Sequence, residues 1–188
     1  SGLLCSGDLQ PMKSTYSLVR EKIGNSLNIS GEDALGMLAR KYFRSHSPAT
    51  FEDFLWWSGL NVSDCQKAVE IIGDELVKET WKGREFYIHE STRTRGFRSG
   101  TVHLIAPYDE YLIGYKSRDV VLPPEHSRKA HSNNGIFQPV IALDGEIVGN
   151  WSPTSKTGCF EIFKDGLSIP EDVLTARFSA YRQFICGD

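Results

Sequence analysis

Several features are missing from this sequence, and each absence narrows what the protein can be. No apolar run approaches the roughly 20 residues that a helix needs to cross a bilayer, and no basic-then-apolar leader is present. A soluble, cytoplasmic protein without membrane association is therefore expected. An excess of positive charge is also lacking: 21 Lys and Arg stand against 24 Asp and Glu, a net charge of -3, so no global field draws the chain onto nucleic acid. Cys5, Cys65, Cys159 and Cys186 stand far apart with no Cys-x-x-Cys pair, which favours free, reduced thiols over disulfides. His126 and His131 have no cysteine near them, so no metal site is expected. No Walker or dinucleotide glycine pattern occurs, and no cofactor is expected.

What is present suffices for a cored fold. Of the 188 residues, 40% are hydrophobic, enough for one or two domains. The organising stretch is Glu32 to Glu90. Ala34, Leu35, Leu38, Ala39, Tyr42 and Phe43 repeat at helical spacing and predict one buried stripe. Pro48 breaks the chain, and Thr50 with Asp53 forms a capping box that opens a second helix over Phe51 to Trp57. Ser58-Gly59 is a turn. Ser63 and Gln66 read as another capping box, opening a third helix with Cys65, Ala68, Val69 and Ile72 on one side and Gly73 as its stop. Leu76 to Trp81 and Arg84 to His89 then read as a hairpin turning at Lys82-Gly83. Three helices followed by a hairpin is the order of a winged helix, whose third helix is the usual DNA reader.

Charge argues against that helix as the reader here. Residues 30–90 carry seven Lys and Arg against eleven Asp and Glu, a net -4, and the third helix exposes Asp64, Gln66, Lys67, Glu70 and Ile71. By contrast, Ser91 to Gly100 holds Arg93, Arg95 and Arg98 with no carboxylate between them. Such a loop either reaches phosphates and a narrow minor groove or is simply solvated. Trp56-Trp57 reads as a base-stacking pair or, more in keeping with a helix end, as core plus rim. Asp109-Glu110 among Tyr108, Tyr111 and Tyr115 is the most enzyme-like cluster. Adjacent carboxylates diverge on any regular backbone, however, which favours a structural role.

The flanks are β-rich. Leu3 to Ser6 and Ser14 to Val19 read as a hairpin, either the wing of an upstream winged helix or an ordinary N-terminal hairpin, with a linker at Gly24 to Gly31. Downstream, Val102 to Ala106 is a strand. Phe137 to Leu143 and Glu146 to Trp151 form a hairpin at Asp144-Gly145, and Cys159 to Phe163 is a further strand. Ser168 with Glu171 caps a last helix whose Leu174, Phe178, Tyr181 and Ile185 close the sheet.

Several segments together carry a family resemblance. They are Leu4-Cys5-Ser6-Gly7 and Thr15-Tyr16-Ser17-Leu18, Tyr42-Phe43-Arg44-Ser45-His46-Ser47-Pro48, and Thr50 to Leu60 with its Trp56-Trp57. Ala106-Pro107-Tyr108-Asp109-Glu110-Tyr111 through Arg118, Asn134 to Val140, and Leu143 to Trp151 continue the series. The chain resembles the bacterial winged-helix DNA-binding family that includes the AlkZ-type, crosslink-repair DNA glycosylases. The resemblance covers nearly the whole chain. It implies tandem winged helices before a β-barrel-like domain, and a chain beginning at Ser1-Gly2 that is the C-terminal half of a longer protein. Glycosylases of this family act through a Gln–apolar–Gln or Gln–apolar–Asp motif. Here Gln10, Gln66, Gln138 and Gln183 lead none, so no catalytic residue carries over.

The expected fold is α+β. Residues 1–29 hold the wing of an upstream unit and a linker, residues 30–90 a winged helix, and residues 91–188 a β-barrel-like domain with a C-terminal helix. The expected function is DNA binding without catalysis by this chain itself. Double-stranded DNA is the partner, together with the upstream half of the parent chain. Arg93, Arg95, Arg98, Lys116, Arg118, Arg128 and Lys129 are the contacts, provided the sheet gathers their loops. A protein-interaction module and part of a non-enzymatic transcription regulator are the alternatives.

Overall fold

Ser30 begins the first long helix: its hydroxyl accepts the backbone N–H of Asp33 at 3.0 Å and caps α2 (Gly31–His46). A computed structural model of the chain describes residues 3–8, 10, 13–24, 29–93, 95–96, 98–155 and 157–186, so part of the expected linker lies outside the described residues. The buried stripe of α2 holds Gly36, Ala39, Tyr42, Phe43 and His46, while Ala34 is exposed. Leu35 and Leu38 pack against the same core as expected, so the stripe begins one residue after Ala34, and the end of α4 lies close at Gly36. A Cβ there would meet Ile71 Cγ2 at 2.7 Å.

The Thr50–Asp53 box forms as expected and opens α3 (Phe51–Ser58), which ends on Gly59 in the left-handed region at φ 66°. The box expected at Ser63 and Gln66 does not form. Asn61 caps α4 (Val62–Ile71) instead, accepting Asp64 N–H at 2.8 Å and donating to the Asp64 carboxylate at 2.8 Å. An asparagine placed before the helix makes two bonds there and fixes the start earlier. α4 ends where expected, with Ile72 as its C-cap and Gly73 the first residue beyond it, and Gly73 then opens a short 3-10 turn, Gly73–Glu75.

β3 (Leu76–Trp81) and β4 (Arg84–His89) pair from Leu76↔His89 to Trp81↔Arg84, as the sequence indicates. Lys82 and Gly83 turn the hairpin with φ 48° and 74°, the doubly positive geometry that matches strand twist. Ala49 bridges Tyr87, fastening the α2–α3 connection to β4. Ala39, Tyr42, Phe43, Phe54, Cys65, Ala68 and Ile72 close this first core. Cys65 serves there as a small hydrophobe. Cys5, Cys65 and Cys159 form no disulfide.

The second unit is a four-stranded antiparallel sheet: β5 (Val102–Ile105), β6 (Val140–Leu143), β7 (Glu146–Trp151) and β8 (Phe160–Ile162), paired in that order. It is open, not a closed barrel: β5 and β8 are its two ends and do not pair with each other. The physical reason is coverage of both faces. Val102, Ile141, Val148 and Trp151 pack against Leu174 and Phe178 of α7 (Glu171–Cys186). Val140, Ala142 and Ile147 pack against Leu112, Leu122 and Ala130 from the long β5–β6 connection, which carries α5 (Glu110–Ile113) and α6 (Ser127–Ala130). With helix and chain on either side, no strand is driven to curl around for burial. Ser168 does not cap α7. The helix starts at Glu171, and the Pro170 carbonyl takes the N–H groups of Val173 and Leu174.

At the start of the chain β1 (Leu4–Ser6) and β2 (Tyr16–Leu18) make a short hairpin, followed by the single turn α1 (Val19–Lys22). Leu3, Leu4, Tyr16 and Ile23 are exposed on it. Among the described residues no helix is long and apolar enough to cross a membrane.

Candidate nucleic-acid interface

The arginine loop joins β4 to β5, and Arg93, Arg95 and Arg98 are all exposed. Its end is fastened rather than loose. Asp144, in the β6–β7 turn, accepts the N–H of Gly100 at 2.9 Å and of Thr101 at 2.7 Å, and the Ser99 hydroxyl at 3.2 Å. Those donors hold the Asp144 carboxyl below the usual aspartate range. Asp144 N–H returns a bond to Thr101 O at 2.9 Å, and the Thr101 hydroxyl donates to Arg98 O at 2.6 Å. Among the described residues, none of the three arginines makes an ion pair.

The other cations are placed differently. Lys116 is exposed and lines a groove of about 620 Å³ with Arg84, Gly83 and Glu52. Arg118 is half-buried. Its Nε donates to Leu112 O at 2.6 Å, its guanidinium lies 5.0 Å from the centre of the Phe137 ring, and burial lowers its pKa. Arg128 is exposed on α6. Lys129 pairs with Glu161 of β8 at 2.8 Å and lies over Phe163.

The sheet sets Lys129 apart from the arginine loop. The arginine loop joins at the Val102↔Leu143 end of β5, whereas Glu161, the partner of Lys129, is the middle residue of the far edge strand and pairs with Asn150. That separates the two anchor points by roughly 14 Å across the strands and roughly 10 Å along them.

The third helix offers little positive charge. Lys67 is tied to Glu32 of α2, a bond that raises the lysine pKa. Trp56 is 57% exposed on α3, while Trp57 packs 4.9 Å from Tyr42, the core-plus-rim arrangement.

The Tyr-rich acidic cluster becomes a joint. Asp109 caps α5 by accepting Tyr111 N–H at 2.9 Å. One oxygen of Glu110 accepts the Trp57 indole N–H at 3.2 Å and faces His46 Nε2 at 3.3 Å. The Tyr42 hydroxyl donates to Gly114 O at 3.2 Å and the Tyr115 hydroxyl to His46 O at 2.9 Å. Burial, followed by the nearby Asp53 charge, pushes the Tyr115 phenol up to about 12 and that of Tyr42 higher still. These contacts bind the sheet unit to α2 and α3 and spend both carboxylates structurally. Sequence reasoning missed the partners His46 and Trp57, and the Gly145 carbonyl that accepts the Tyr111 hydroxyl. The tyrosine spacing around Asp109-Glu110 was the signal, and it located the joint without naming what it holds.

Residues 1–167 match the family model described as DNA glycosylase AlkZ-like, and the chain belongs to that family. It is similar to the interstrand DNA cross-link repair glycosylase of Streptomyces sahachiroi, with 28% identity over 178 residues, 90% of this chain and 48% of that protein. The solved structure of the Streptomyces sahachiroi DNA glycosylase AlkZ shares the fold with a TM-score of 0.78 and 25% identity, over 95% of this chain and 52% of the other. The chain thus spans about half the length of the curated relative it matches.

Proposed function

We propose that this chain is the DNA-gripping, non-catalytic half of a crosslink-repair type glycosylase, acting on double-stranded DNA in the cytoplasm of a bacterial cell. In this reading residues 1–29 are the wing and linker of an upstream winged helix, residues 30–90 a winged helix, and residues 91–188 the sheet domain. The element order α2–α3–α4–β3–β4, with Ala49 bridging β4, supports the winged helix. The relative's printed name supplies the crosslink-repair reading.

One observation carries the DNA contact: three exposed arginines share a loop with no carboxylate in residues 91–100, and the end of that loop is hydrogen-bonded to the β6–β7 turn. A cationic loop held in place meets phosphates with less ordering cost than a free one. Lys116 and Arg128 are further contacts in this reading, and Arg118 and Lys129 reach the duplex only by giving up internal partners. Fluorescence anisotropy on a short duplex at several salt concentrations tests it. Replacing Arg93, Arg95 and Arg98 by Ala should weaken binding to all sequences alike. It should also flatten the log–log salt slope by about two to three units, at roughly 0.9 per phosphate contact. An unchanged slope would sink the reading.

A further inference from the structure

A run of hydrogen bonds leads from the arginine loop into the three-helix unit. Asp144 takes the N–H groups of Gly100 and Thr101. Its neighbour Gly145 offers its carbonyl to the Tyr111 hydroxyl at 2.6 Å. Tyr111 lies in α5, whose Glu110 is bonded to Trp57 of α3. The β6–β7 turn is therefore held from both sides, by the loop on one and by the inter-unit joint on the other. Asp144 sits at φ 53° and Gly145 at φ 89°, the geometry of a two-residue hairpin turn, so the backbone presents the carboxylate outward to the loop.

We infer that Asp144 and Tyr111 are positioning residues for duplex binding, setting where the arginine loop stands relative to the three-helix unit. The inference rests on the proposed DNA contact at Arg93, Arg95 and Arg98. It runs against simple charge counting. Asp144 is an exposed negative charge beside a loop that meets phosphates, and its removal by electrostatics alone would strengthen binding. The geometry demands the opposite sign, because a released loop must be ordered again on each encounter.

Asp144→Asn separates these effects. Asn-Gly is among the best sequences for this turn and Asn tolerates positive φ, so the hairpin remains. The amide has one acceptor oxygen in place of two, and its NH2 opposes an N–H that the carboxylate accepted. Measured by anisotropy on a short duplex with the 188-residue chain, Asp144→Asn should bind about fivefold more weakly, with the salt slope reduced by about one phosphate contact. Tyr111→Phe should shift both quantities in the same direction. Thermal melts by circular dichroism identify an unfolded variant, and if Asp144→Asn is one, Tyr111→Phe decides. Equal or tighter binding by folded variants, with an unchanged slope while the triple-arginine variant loses affinity, overturns the inference and leaves the DNA contact standing. A triple-arginine variant that keeps its affinity overturns the underlying contact and the inference with it.

Discussion

Asp53 and Lys116 meet across the two units: the carboxylate that completes the α3 capping box accepts the Lys116 backbone N–H at 2.8 Å. The same oxygen takes a longer bond of 3.3 Å from Ser117 N–H, and the other oxygen of Asp53 holds the Thr50 N–H at 2.9 Å and its hydroxyl at 2.8 Å. A single buried carboxylate, 2% exposed, thus starts a helix and holds the chain that follows α5 against it.

Replacing Asp53 by Ala leaves several buried donors without a partner. The expected loss is about 3 kcal/mol of unfolding free energy, read by urea titration. Thr50→Ala removes the hydroxyl cap without orphaning the Lys116 N–H and should cost only about 1 kcal/mol. Equal losses in the two variants would show that the inter-unit bond contributes nothing.

Gly149 lies in β7, where a Cβ would clash with the Glu161 backbone oxygen of β8. Backbone cannot swing aside as a side-chain end does, so Gly149→Ala should push β8 off the sheet and cost about 2 kcal/mol. Hydrogen exchange should locate the loss of protection at Phe160–Ile162. Uniform loss across the sheet would contradict the local account.

The Tyr115 phenol has its pKa raised to about 12 from an ordinary 10.0. Folding therefore favours the protonated form. The associated stability is fully present below pH 10 and is lost as pH rises through about 12. Tyr115→Phe should lose the bond to His46 O and flatten the fall in stability between those pH values. Absorbance titration of the wild-type chain should show a tyrosine ionising late, and its absence in the variant assigns it.

Replacing Gln66 and Lys67 on α4 should leave duplex affinity within about twofold, because Lys67 is already neutralised by Glu32 and carboxylates surround it. Loss of binding in that variant, with the arginine-loop variant unaffected, would make α4 the reader.

Incubated alone with alkylated or crosslinked duplex, the chain should release no base, since no Gln–apolar–Gln or Gln–apolar–Asp motif is present to position a water. Any base release that depends on this chain by itself would refute the proposed non-catalytic reading.

Features that depend on neighbours along the chain are legible from the residues alone. The Thr50–Asp53 cap, the Lys82-Gly83 and Asp144-Gly145 turns and the six-residue strands β3 and β4 follow from local backbone preferences and spacing. The start of the third helix, expected at Ser63, lies instead at Asn61, whose side chain makes two bonds there. Tertiary structure decided the rest. The open sheet arises because α7 and the β5–β6 connection cover its two faces, a choice no strand pattern records. The candidate cations were legible as types, but their availability was not. Lys129 is drawn to Glu161 and Arg118 to Leu112, while among the described residues the loop arginines make no ion pair. Glu110 reaches Trp57 and Asp53 reaches Lys116 across more than fifty residues. Contacts at that separation depend on how whole elements pack, and local sequence preferences do not encode them.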